Sequence, residues 1–290
     1  MTVLDTERAP GASLNFLSLE LTARCQFTCP SQCYAEAGPT RGHGSMTAQD
    51  WHRLIDEAVA LGTTTVQFIG GEPTLYPQFA ELVEHALRVG LDVRVHSNLF
   101  KVRAEHWPLF VEPRVTVKTT YHSDTAAEHD AITGRAGSHA ATRASIEEAV
   151  RRGVKVQVAV VDHGNGQQAQ QARAEMEALG VTASVDKVRA IGRAAGGLLP
   201  SVSALCGNCA RGKAAILPDG RIAPCEMGRF LATGNVRETS LASVLASPQW
   251  ARTRASIPHR TSADPCPPDC APSGDSCGPS KGESCGPMDN

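Results

Sequence analysis

The sequence has few aromatic residues and no run of basic residues. Aromatic side chains make up 4% of the 290 residues, and the formal net charge is -2. A protein that binds nucleic acid usually carries a basic stripe or aromatic rings on which bases stack. The composition therefore argues against nucleic acid as a partner.

The chain also lacks a long apolar run. No stretch of about 18 apolar residues is present, so we expect no membrane-spanning helix. The first 13 residues are polar and lack the apolar core of a signal peptide. Hydrophobic residues at 41% and charged residues at 20% are typical of a globular protein with a core. We therefore predict a cytoplasmic protein.

Cysteine, by contrast, is abundant and unevenly placed. Of ten cysteines, three lie between residues 25 and 33 and seven between 206 and 285. Without a signal peptide, this number indicates metal or redox use more than a disulfide framework. Cys25, Cys29 and Cys33 are each separated by three residues and have no obvious fourth ligand nearby. Because a structural zinc site wants four ligands, this group indicates a metal site that is left open.

A strand–helix pattern repeats along the middle of the chain. Strands are predicted at 14–21, 63–69, 91–97, 115–121, 154–161 and 181–188. A helix is predicted to begin after Thr47, with Asp50 completing the cap, and predicted helices end at Gly62, Gly90, Gly153 and Gly180. Because parallel strands need helical crossovers, the predicted fold class is α/β, a partial (β/α)6 TIM-like barrel.

The composition changes after about residue 195. Glycine, proline, serine and cysteine dominate there, and a helical period is visible only at 240–254. A segment so poor in large apolar residues has little core, so we expect cysteines to hold it together as metal ligands. The predicted organisation is a tail at 1–13, a barrel at 14–195 and a small cysteine-rich extension at 196–290.

The chemistry of a parallel barrel is expected at the carboxyl ends of its strands. The loop with Cys25, Cys29 and Cys33 follows the first strand, and the sequence GGEP at 70–73 follows the second. A [4Fe–4S] cluster takes one thiolate for each iron. Three thiolates would therefore leave one iron able to bind an exchangeable ligand.

The three-cysteine loop followed by GGEP resembles the radical S-adenosylmethionine (SAM) superfamily. The resemblance implies that the three cysteines hold a [4Fe–4S] cluster whose fourth iron binds SAM. It also implies that Gly70, Gly71, Glu72 and Pro73 contact SAM. The spacing C-x3-C-x3-C departs from the usual C-x3-C-x2-C, and the aromatic Tyr34 follows the last cysteine instead of preceding it. Its counterpart in the family packs beside the adenine of SAM.

The resemblance extends to two further strand ends. Ser97 and Asn98 stand where family members often carry Thr-Asn-Gly, which makes them candidate SAM contacts or ordinary strand caps. Tyr121 and His122 replace part of a frequent Ser-Leu-Asp-Gly and are expected to face the active site. There they would position the substrate or donate a hydrogen atom, and the alternative is a structural role.

The cysteine-rich end resembles the SPASM extension of many radical SAM enzymes. Cys206, Gly220 and Cys225 match its start, and RAIGRA at 189–194 is typical of the junction. The resemblance implies one or two auxiliary [4Fe–4S] clusters. Spacings depart from the family's pattern, and the candidate ligands are Cys206, Cys209, Cys225, Cys266, Cys270, Cys277 and Cys285. A zinc knuckle or idle thiols are the alternatives.

The implied reaction is reductive cleavage of SAM to a 5′-deoxyadenosyl radical that abstracts a hydrogen atom. Relatives with this extension suggest a ribosomally made peptide as substrate, matured by a cross-link, a thioether or epimerisation. Either a separate protein or the barrel itself would then recognise the peptide, and a flavodoxin or ferredoxin would donate the electron. The alternatives are a dehydrogenase of a small sugar or aminocyclitol alcohol, and a zinc-stabilised β/α binding protein.

Overall fold

The structure, a computed structural model, describes residues 14–164 and 168–259. Its strands are β1 (Phe16–Glu20), β2 (Thr65–Ile69), β3 (Asp92–His96), β4 (Val115–Tyr121), β5 (Val156–Asp162), β6 (Thr182–Lys187), β7 (Lys213–Ile216), β8 (Arg221–Ala223) and β9 (Thr233–Asn235). Its α-helices are α1 (Ala48–Ala60), α2 (Phe79–Arg88), α3 (Trp107–Phe110), α4 (Ala126–Thr133), α5 (Ser138–Arg151), α6 (Ala169–Ala178), α7 (Leu241–Leu245) and α8 (Pro248–Ser256). Among these helices none is both long and apolar enough to cross a membrane.

The described strands form one sheet in the order β6-β5-β4-β3-β2-β1-β7-β8-β9. The strands β1 to β6 are parallel and are joined by helices, which confirms the predicted partial barrel. β7 also pairs in parallel with β1, where Phe16 lies opposite Lys213, whereas β8 and β9 are antiparallel. The sheet thus continues beyond residue 195 into the extension.

The local signals in the sequence agree with the helix boundaries. Thr47 caps α1, and its side chain and that of Asp50 form the reciprocal pair of a capping box. The four glycines predicted to follow helices all have φ between +74° and +93°. The helical period at 240–254 is divided in two, because Ser247 caps a new helix that begins at Pro248.

Alternation along β4 shows how the sheet separates the core from the cavity. Val115, Val117 and Tyr121 are buried and belong to the main hydrophobic core with the helices. Lys118 and Thr120 are partly exposed and line a cavity on the opposite face of the sheet. Successive side chains of a strand point to opposite faces, so position in the strand decides which residues reach the site.

The described part of the extension is packed more like the barrel than its composition suggests. Ile216, Ile222, Val236, Leu241 and Trp250 are buried in the same hydrophobic core as the barrel strands. The expectation that the extension has little core is wrong for this part, whereas the role of its cysteines as metal ligands stays a prediction. This part needs no large core of its own because β7 and the helices α7 and α8 bury their apolar faces against the barrel.

Candidate active site

The GGEP turn packs directly on the loop that carries the first three cysteines. Gly71 N donates to Thr22 O at 2.7 Å, and Glu72 N donates to Arg24 O at 2.8 Å. A Cβ on Gly71 would lie 2.4 Å from Arg24 O, and one on Gly70 would lie 2.5 Å from Thr22 O. Both positions therefore require glycine, because the GGEP turn packs closely on the cysteine loop. The sequence suggested only that these two residues contact SAM.

Glu72 ties this turn to the end of β3. Its carboxylate is fully buried and accepts hydrogen bonds from Thr74 N and Oγ1, from Ser97 Oγ at 2.9 Å and from Asn98 N at 2.8 Å. Burial raises its pKa, and these hydrogen bonds oppose the shift. Pro73 begins a short 3-10 turn directly after it. The geometry makes Glu72 a positioning residue, and its contact with SAM stays a prediction.

Asn98 connects the end of β3 to the cysteine loop. Its Nδ2 lies 3.6 Å from Cys25 Sγ, and its Oδ1 accepts from Gln26 Nε2 at 3.0 Å. The same oxygen accepts from Phe100 N at 2.9 Å. The structure therefore brings Asn98, Cys25 and the GGEP turn together. All three follow parallel strands whose carboxyl ends meet at one edge.

Arg193 holds the cysteine loop from the opposite side and was missed by the sequence reasoning. Its guanidinium donates to the carbonyls of Thr28, Cys29 and Ala37, and its backbone N donates to Cys33 O at 3.1 Å. Arg193 belongs to the stretch RAIGRA at 189–194, which the sequence identified only as typical of the junction with the extension. Gly192 before it has φ of +60°, and a Cβ there would meet Cys33 O at 2.5 Å.

The donor set of the loop fits an iron–sulfur cluster. Burial, together with the neighbouring Glu72 for Cys25 and Cys33 for Cys29, raises the pKa of these two thiols to about 12. Metal-bound thiols are deprotonated because the cation stabilises the thiolate. No three His, Cys, Asp or Glu side chains converge within 14–164 and 168–259 as the ligands of one metal ion would. Separate thiolates, one for each iron, agree better with this spacing.

The cysteines of the extension form a second group. Cys209 Sγ lies 3.1 Å from Cys225 Sγ, and hydrogen bonds with Cys206 and Cys225 raise the pKa of Cys209. All six cysteines within the described ranges are free thiols. The group lies in an apolar cluster that includes Ile191 and Leu205. The predicted ligands Cys266, Cys270, Cys277 and Cys285 lie outside the described residues.

Tyr34 lies between the two groups of cysteines. It packs against the apolar cluster around Cys25 and also against the one around Cys209. Its hydroxyl is buried and has no hydrogen-bond partner within the described part of the chain, and burial raises its pKa. The Arg229 guanidinium lies 6.0 Å from the centre of its ring. The predicted position of Tyr34 beside adenine stays a prediction.

A cavity of about 280 Å³ lies inside the partial barrel and reaches the extension. Its wall includes Cys206 and Cys225 of the second group, and Tyr34, which packs against the apolar clusters around both groups. The barrel contributes mostly polar side chains from β2 to β6, such as Gln67 and Thr120. Such a concave surface with converging polar groups is the expected form of a substrate site.

Tyr121 does not face this cavity, contrary to the expectation from its place at a strand end. Its ring is fully buried, and its hydroxyl lies 2.7 Å from His139 Nε2 and donates to Glu175 Oε2 at 3.0 Å. The reason is the alternation of β4, which turns this position towards α5 and α6. Burial raises its pKa, so the hydroxyl stays neutral.

His122, one residue further on, lies beside the cysteine loop. Its Nε2 is 3.3 Å from Gln32 Nε2, and its ring packs near those of His129 and His163. Burial lowers its pKa well below the ordinary value, as do the neighbouring histidines. Its predicted role in the reaction stays a prediction.

Comparisons with known proteins agree with this geometry. The sequence model of the radical SAM superfamily matches residues 19–173, and that of the SPASM iron–sulfur cluster-binding domain matches residues 206–272. The chain is 32% identical over 123 residues to PqqA peptide cyclase of Rhodopseudomonas palustris, covering 42% of this chain and 32% of the relative. It is 31% identical over 183 residues to mycofactocin maturase MftC of Mycobacterium ulcerans, covering 62% and 48%.

Solved structures show the same fold. SuiB of Streptococcus suis bound to its precursor peptide SuiA superimposes with a TM-score of 0.70 at 15% identity, covering 84% of this chain and 67% of SuiB. Of the two curated relatives, the chain spans 48% of the length of the mycofactocin maturase and 32% of that of the PqqA peptide cyclase.

The chain belongs to the radical SAM superfamily. It also carries the iron–sulfur cluster-binding extension that the sequence predicts. The two matches imply a [4Fe–4S] cluster, SAM and auxiliary iron–sulfur clusters, which confirms the predicted cofactors. A zinc-stabilised protein without catalytic activity is not supported, because the chain matches the radical SAM superfamily and the iron–sulfur cluster-binding domain.

Proposed function

We propose that this protein is a radical SAM enzyme that matures a ribosomally made peptide. The observation that carries the proposal is the cavity whose wall includes Cys206 and Cys225 of the second group together with Tyr34, which packs beside both groups. A substrate in this cavity would lie between the site of SAM cleavage and an auxiliary cluster. Hydrogen abstraction and a later transfer of one electron from the substrate could then occur without the substrate leaving the cavity.

Different residues of the chain would have distinct roles in this reaction. Cys25, Cys29 and Cys33 would hold the cluster, which when bound supplies the electron that cleaves SAM. Gly70 and Gly71 bring the GGEP turn against the cysteine loop, and backbone groups of that turn would bind the amino group of SAM.

The peptide substrate is supported by the relatives. PqqA peptide cyclase is named for a peptide, MftC is named a maturase, and SuiB was solved with a precursor peptide. The product here would be a cross-link, a thioether or an epimerised residue. We assign leader recognition to a separate protein and the electron supply to a flavodoxin or ferredoxin. Free cysteines that serve as ligands agree with a cytoplasmic site.

The test begins with SAM cleavage in the absence of substrate. The protein is reconstituted anaerobically with iron and sulfide, reduced with dithionite and supplied with SAM, and 5′-deoxyadenosine is measured. The wild type should form it, and a variant with Cys25, Cys29 and Cys33 all changed to Ala should not. Arg41→Ala, at an exposed position of the same loop, is the matched control and should retain the activity. A wild type that binds iron and SAM but forms no 5′-deoxyadenosine would contradict the proposal.

The peptide is tested separately. Candidate precursor peptides are incubated with the active enzyme, and their mass is compared before and after the reaction. Loss of a pair of hydrogen atoms indicates a cross-link or thioether, and deuterium uptake from D₂O at an α-carbon indicates epimerisation. An enzyme that cleaves SAM but oxidises only sugar or aminocyclitol alcohols would replace the peptide assignment and leave the radical assignment intact.

A further inference from the structure

Exposed basic residues surround the loop that carries the first three cysteines. Arg24 and Arg41 stand on one side of the loop, and Lys101 and Arg135 stand on the other. All four residues are exposed, whereas the stretch 22–43 contains a single acidic residue, Glu36. This surface is therefore positively charged, although the chain as a whole has a formal net charge of -2.

Backbone hydrogen bonds place Arg24 and Arg41 next to the first cysteine. Arg24 directly precedes Cys25, and the backbone nitrogens of Cys25 and Arg41 both donate to Gly38 O, at 3.1 and 3.2 Å. Burial lowers the pKa of His43, and the nearby charge of Arg24 lowers it too. Two positive side chains are thus fixed at the start of the cysteine loop.

Aromatic packing places Arg135 and Lys101 at the other side of the loop. The guanidinium carbon of Arg135 lies 5.1 Å from the centre of the Phe100 ring. The Phe100 ring in turn packs edge-on against Phe27 of the cysteine loop, with 5.3 Å between the ring centres. Lys101 follows Phe100 directly. The positive charge is therefore contributed by two further segments, one after β3 and one after α4.

The charge of this surface is not neutralised by neighbouring carboxylates. Within the described residues, none of the four basic side chains forms an ion pair. Glu105 pairs with Arg103 instead. Asp130 accepts from Ser138 Oγ and from His139 N, both at 2.8 Å. An acidic partner from outside would consequently meet uncompensated positive charge around the loop.

An exposed apolar pair follows the segment that holds the same loop. Leu198 and Leu199 are 76% and 94% exposed. They come after the 3-10 turn of Arg193, whose guanidinium donates to Cys29 O, and Leu198 N donates to Ala195 O of that turn at 3.0 Å. Two adjacent exposed leucines near a charged surface have the composition of a small interface with an apolar centre and a polar rim.

The basic surface is separate from the cavity. Of residues 22–43 only Tyr34 contributes to the cavity wall, and none of the four basic residues does. Thr28, Pro30 and Ser31 are exposed, so the cysteine loop itself reaches the surface. A substrate in the cavity and a partner on the basic surface would therefore approach the loop from different sides and could be bound together.

We propose that an acidic one-electron donor protein docks on this surface, which consists of Arg24, Arg41, Lys101 and Arg135 together with Leu198 and Leu199. The inference rests on the proposed function, since each reductive cleavage of SAM needs one electron from outside. Opposite charges steer such an encounter and orient the two proteins. Interfaces that serve electron transfer are small and weak, which agrees with a few exposed residues. The donor loses one electron and dissociates, and no bond forms between the proteins.

The experiment measures binding of an acidic flavodoxin to the reconstituted holoenzyme with saturating SAM. An acidic ferredoxin serves as a second probe, and both are titrated calorimetrically. Arg41→Gln, Lys101→Gln and Arg135→Gln should each weaken binding about two- to fivefold, the range of an exposed charge pair. The triple variant should bind at least roughly tenfold more weakly. Wild-type affinity should fall with rising ionic strength, because salt screens exposed charges.

Two further variants separate charge from apolar contact and from position. Leu199→Ser should weaken binding without changing its dependence on salt. Arg88→Gln removes an exposed positive charge at the end of α2, just before β3 begins and so at the opposite edge of the sheet. It should leave the affinity for the donor unchanged. Iron content and circular dichroism establish that each variant is folded and loaded.

The formation of 5′-deoxyadenosine is measured in the same samples with two reductants. With flavodoxin, its reductase and NADPH, the triple variant should be at least roughly tenfold slower than the wild type when flavodoxin is well below its Kd. With excess dithionite the two proteins should react equally, because a small reductant needs no docking surface. The loss should therefore depend on the donor protein and not on the site of SAM cleavage.

Several outcomes would overturn the inference. Equal affinity of flavodoxin and ferredoxin for the wild type and the triple variant contradicts it, as does no binding of either probe to the wild type. An equal loss of affinity in Arg88→Gln would show an effect of net charge alone. If the triple variant lost affinity only for an acidic precursor peptide, the surface would serve the substrate. Failure of the wild type with dithionite would refute the proposed function, whereas success with dithionite and unchanged donor binding would refute only this inference.

Discussion

The two groups of cysteines are organised in different ways. The main chain of the loop with Cys25, Cys29 and Cys33 accepts hydrogen bonds from the GGEP turn and from Arg193, and it donates to Thr133 O. In the extension, by contrast, the thiols of Cys209 and Cys225 touch each other inside an apolar cluster. One group is positioned through the main chain and the other through side-chain packing.

This difference has consequences for how each group responds to substitution. Backbone contacts at 2.7 to 2.9 Å leave little room for new atoms, so small changes next to the first loop should displace its cysteines. A packed apolar cluster can adapt to changes of shape at lower cost. We therefore expect that substitution of neighbouring residues that are not metal ligands will also impair the first group. The second group should be impaired chiefly by substitution of its own cysteines.

The largest expected effect is a difference in 5′-deoxyadenosine formation between variants of the two cysteine groups. Replacing Cys206, Cys209 and Cys225 together by Ala should lower the iron content but retain 5′-deoxyadenosine formation in the absence of substrate. Replacing Cys25, Cys29 and Cys33 should abolish that formation, because the first loop meets the GGEP turn and Asn98. Iron analysis and a deoxyadenosine assay on both triple variants check this.

The contrast would fail if the extension variant also lost substrate-free SAM cleavage while remaining folded. The two groups would then act as one unit, and the division by type of contact would have no functional meaning. Retained peptide modification in the extension variant would contradict a role of that group in the reaction.

A second prediction concerns Gly71, whose φ is ordinary and whose replacement is therefore a purely steric test. Gly71→Ala places a Cβ 2.4 Å from the carbonyl oxygen of Arg24. Overpacking of this kind costs about 1–3 kcal/mol. We expect a comparable loss of unfolding free energy and a strong loss of deoxyadenosine formation.

Gly38→Ala is the matched control, since nothing lies within 4 Å of its Cβ position and its φ is also ordinary. It should leave both SAM cleavage and unfolding free energy close to the wild-type values. Equal effects of the two substitutions would show that glycine content, and not the contact with Arg24, governs the loop.

A third prediction tests the clamp made by Arg193. Arg193→Met removes the donors to the carbonyls of Thr28, Cys29 and Ala37 while keeping an unbranched side chain. Hydrogen bonds of a charged group contribute about 1.5–3 kcal/mol each when well formed, and partial exposure reduces this. We expect deoxyadenosine formation to fall roughly tenfold, because misplaced reactive groups react slowly.

The change should be confined to the first group of cysteines. Iron bound by the extension, measured in a background with Cys25, Cys29 and Cys33 replaced, should be the same with and without Arg193→Met. Arg173→Met on the exposed face of α6 controls for loss of a positive charge. If Arg193→Met impaired only the extension's iron, the assignment of this residue to the first loop would be incorrect.

The sequence predicted where the first cysteine loop and the GGEP turn lie, because the determinants of their placement are local. Cysteine spacing and GGEP lie in short stretches, and parallel strands bring their carboxyl ends together without further information. Arg193 was missed because its partners lie more than 150 residues away and its role depends on backbone carbonyls, which leave no pattern in the sequence. Tyr121 was misplaced because strand-end position was considered without the alternation that decides which face is reached.

The extension was harder to predict for a related reason. Its strands have three or four residues each, and its apolar residues are few and scattered. Their burial depends on β7 joining the barrel sheet beside β1, which is a tertiary event. A low local content of large apolar residues therefore suggested a segment without a core, whereas the segment shares the core of its neighbour.

One ion pair links the two regions. Glu20, at the end of β1 immediately before the cysteine loop, has a buried side chain that accepts from Arg229 Nη1 at 3.1 and 3.2 Å. Arg229 belongs to the extension and also lies over the ring of Tyr34. Burial raises the pKa of Glu20 to about 7, and the opposing effect of Arg229 is smaller.

The smallest expected effect follows from this pKa and concerns stability. A carboxyl group that titrates near 4.5 when unfolded and about 7 when folded favours the folded state while it is protonated. Its contribution is fully present below pH 4.5 and is lost as the pH rises through about 7. The unfolding free energy of the wild type should therefore decline across this window more steeply than that of Glu20→Gln. The difference in slope should be at most about 1.4 kcal/mol per pH unit.

Chemical denaturation of both proteins between pH 4.5 and 7 measures this difference. Glu112→Gln, at an exposed position, removes a carboxylate without burial and should preserve the wild-type slope. A Glu20→Gln protein with the wild-type slope would mean that Arg229 keeps the carboxylate ionised throughout the window. The ion pair would then stabilise the junction between the two cysteine groups at every pH tested, and burial would not be the dominant influence on Glu20.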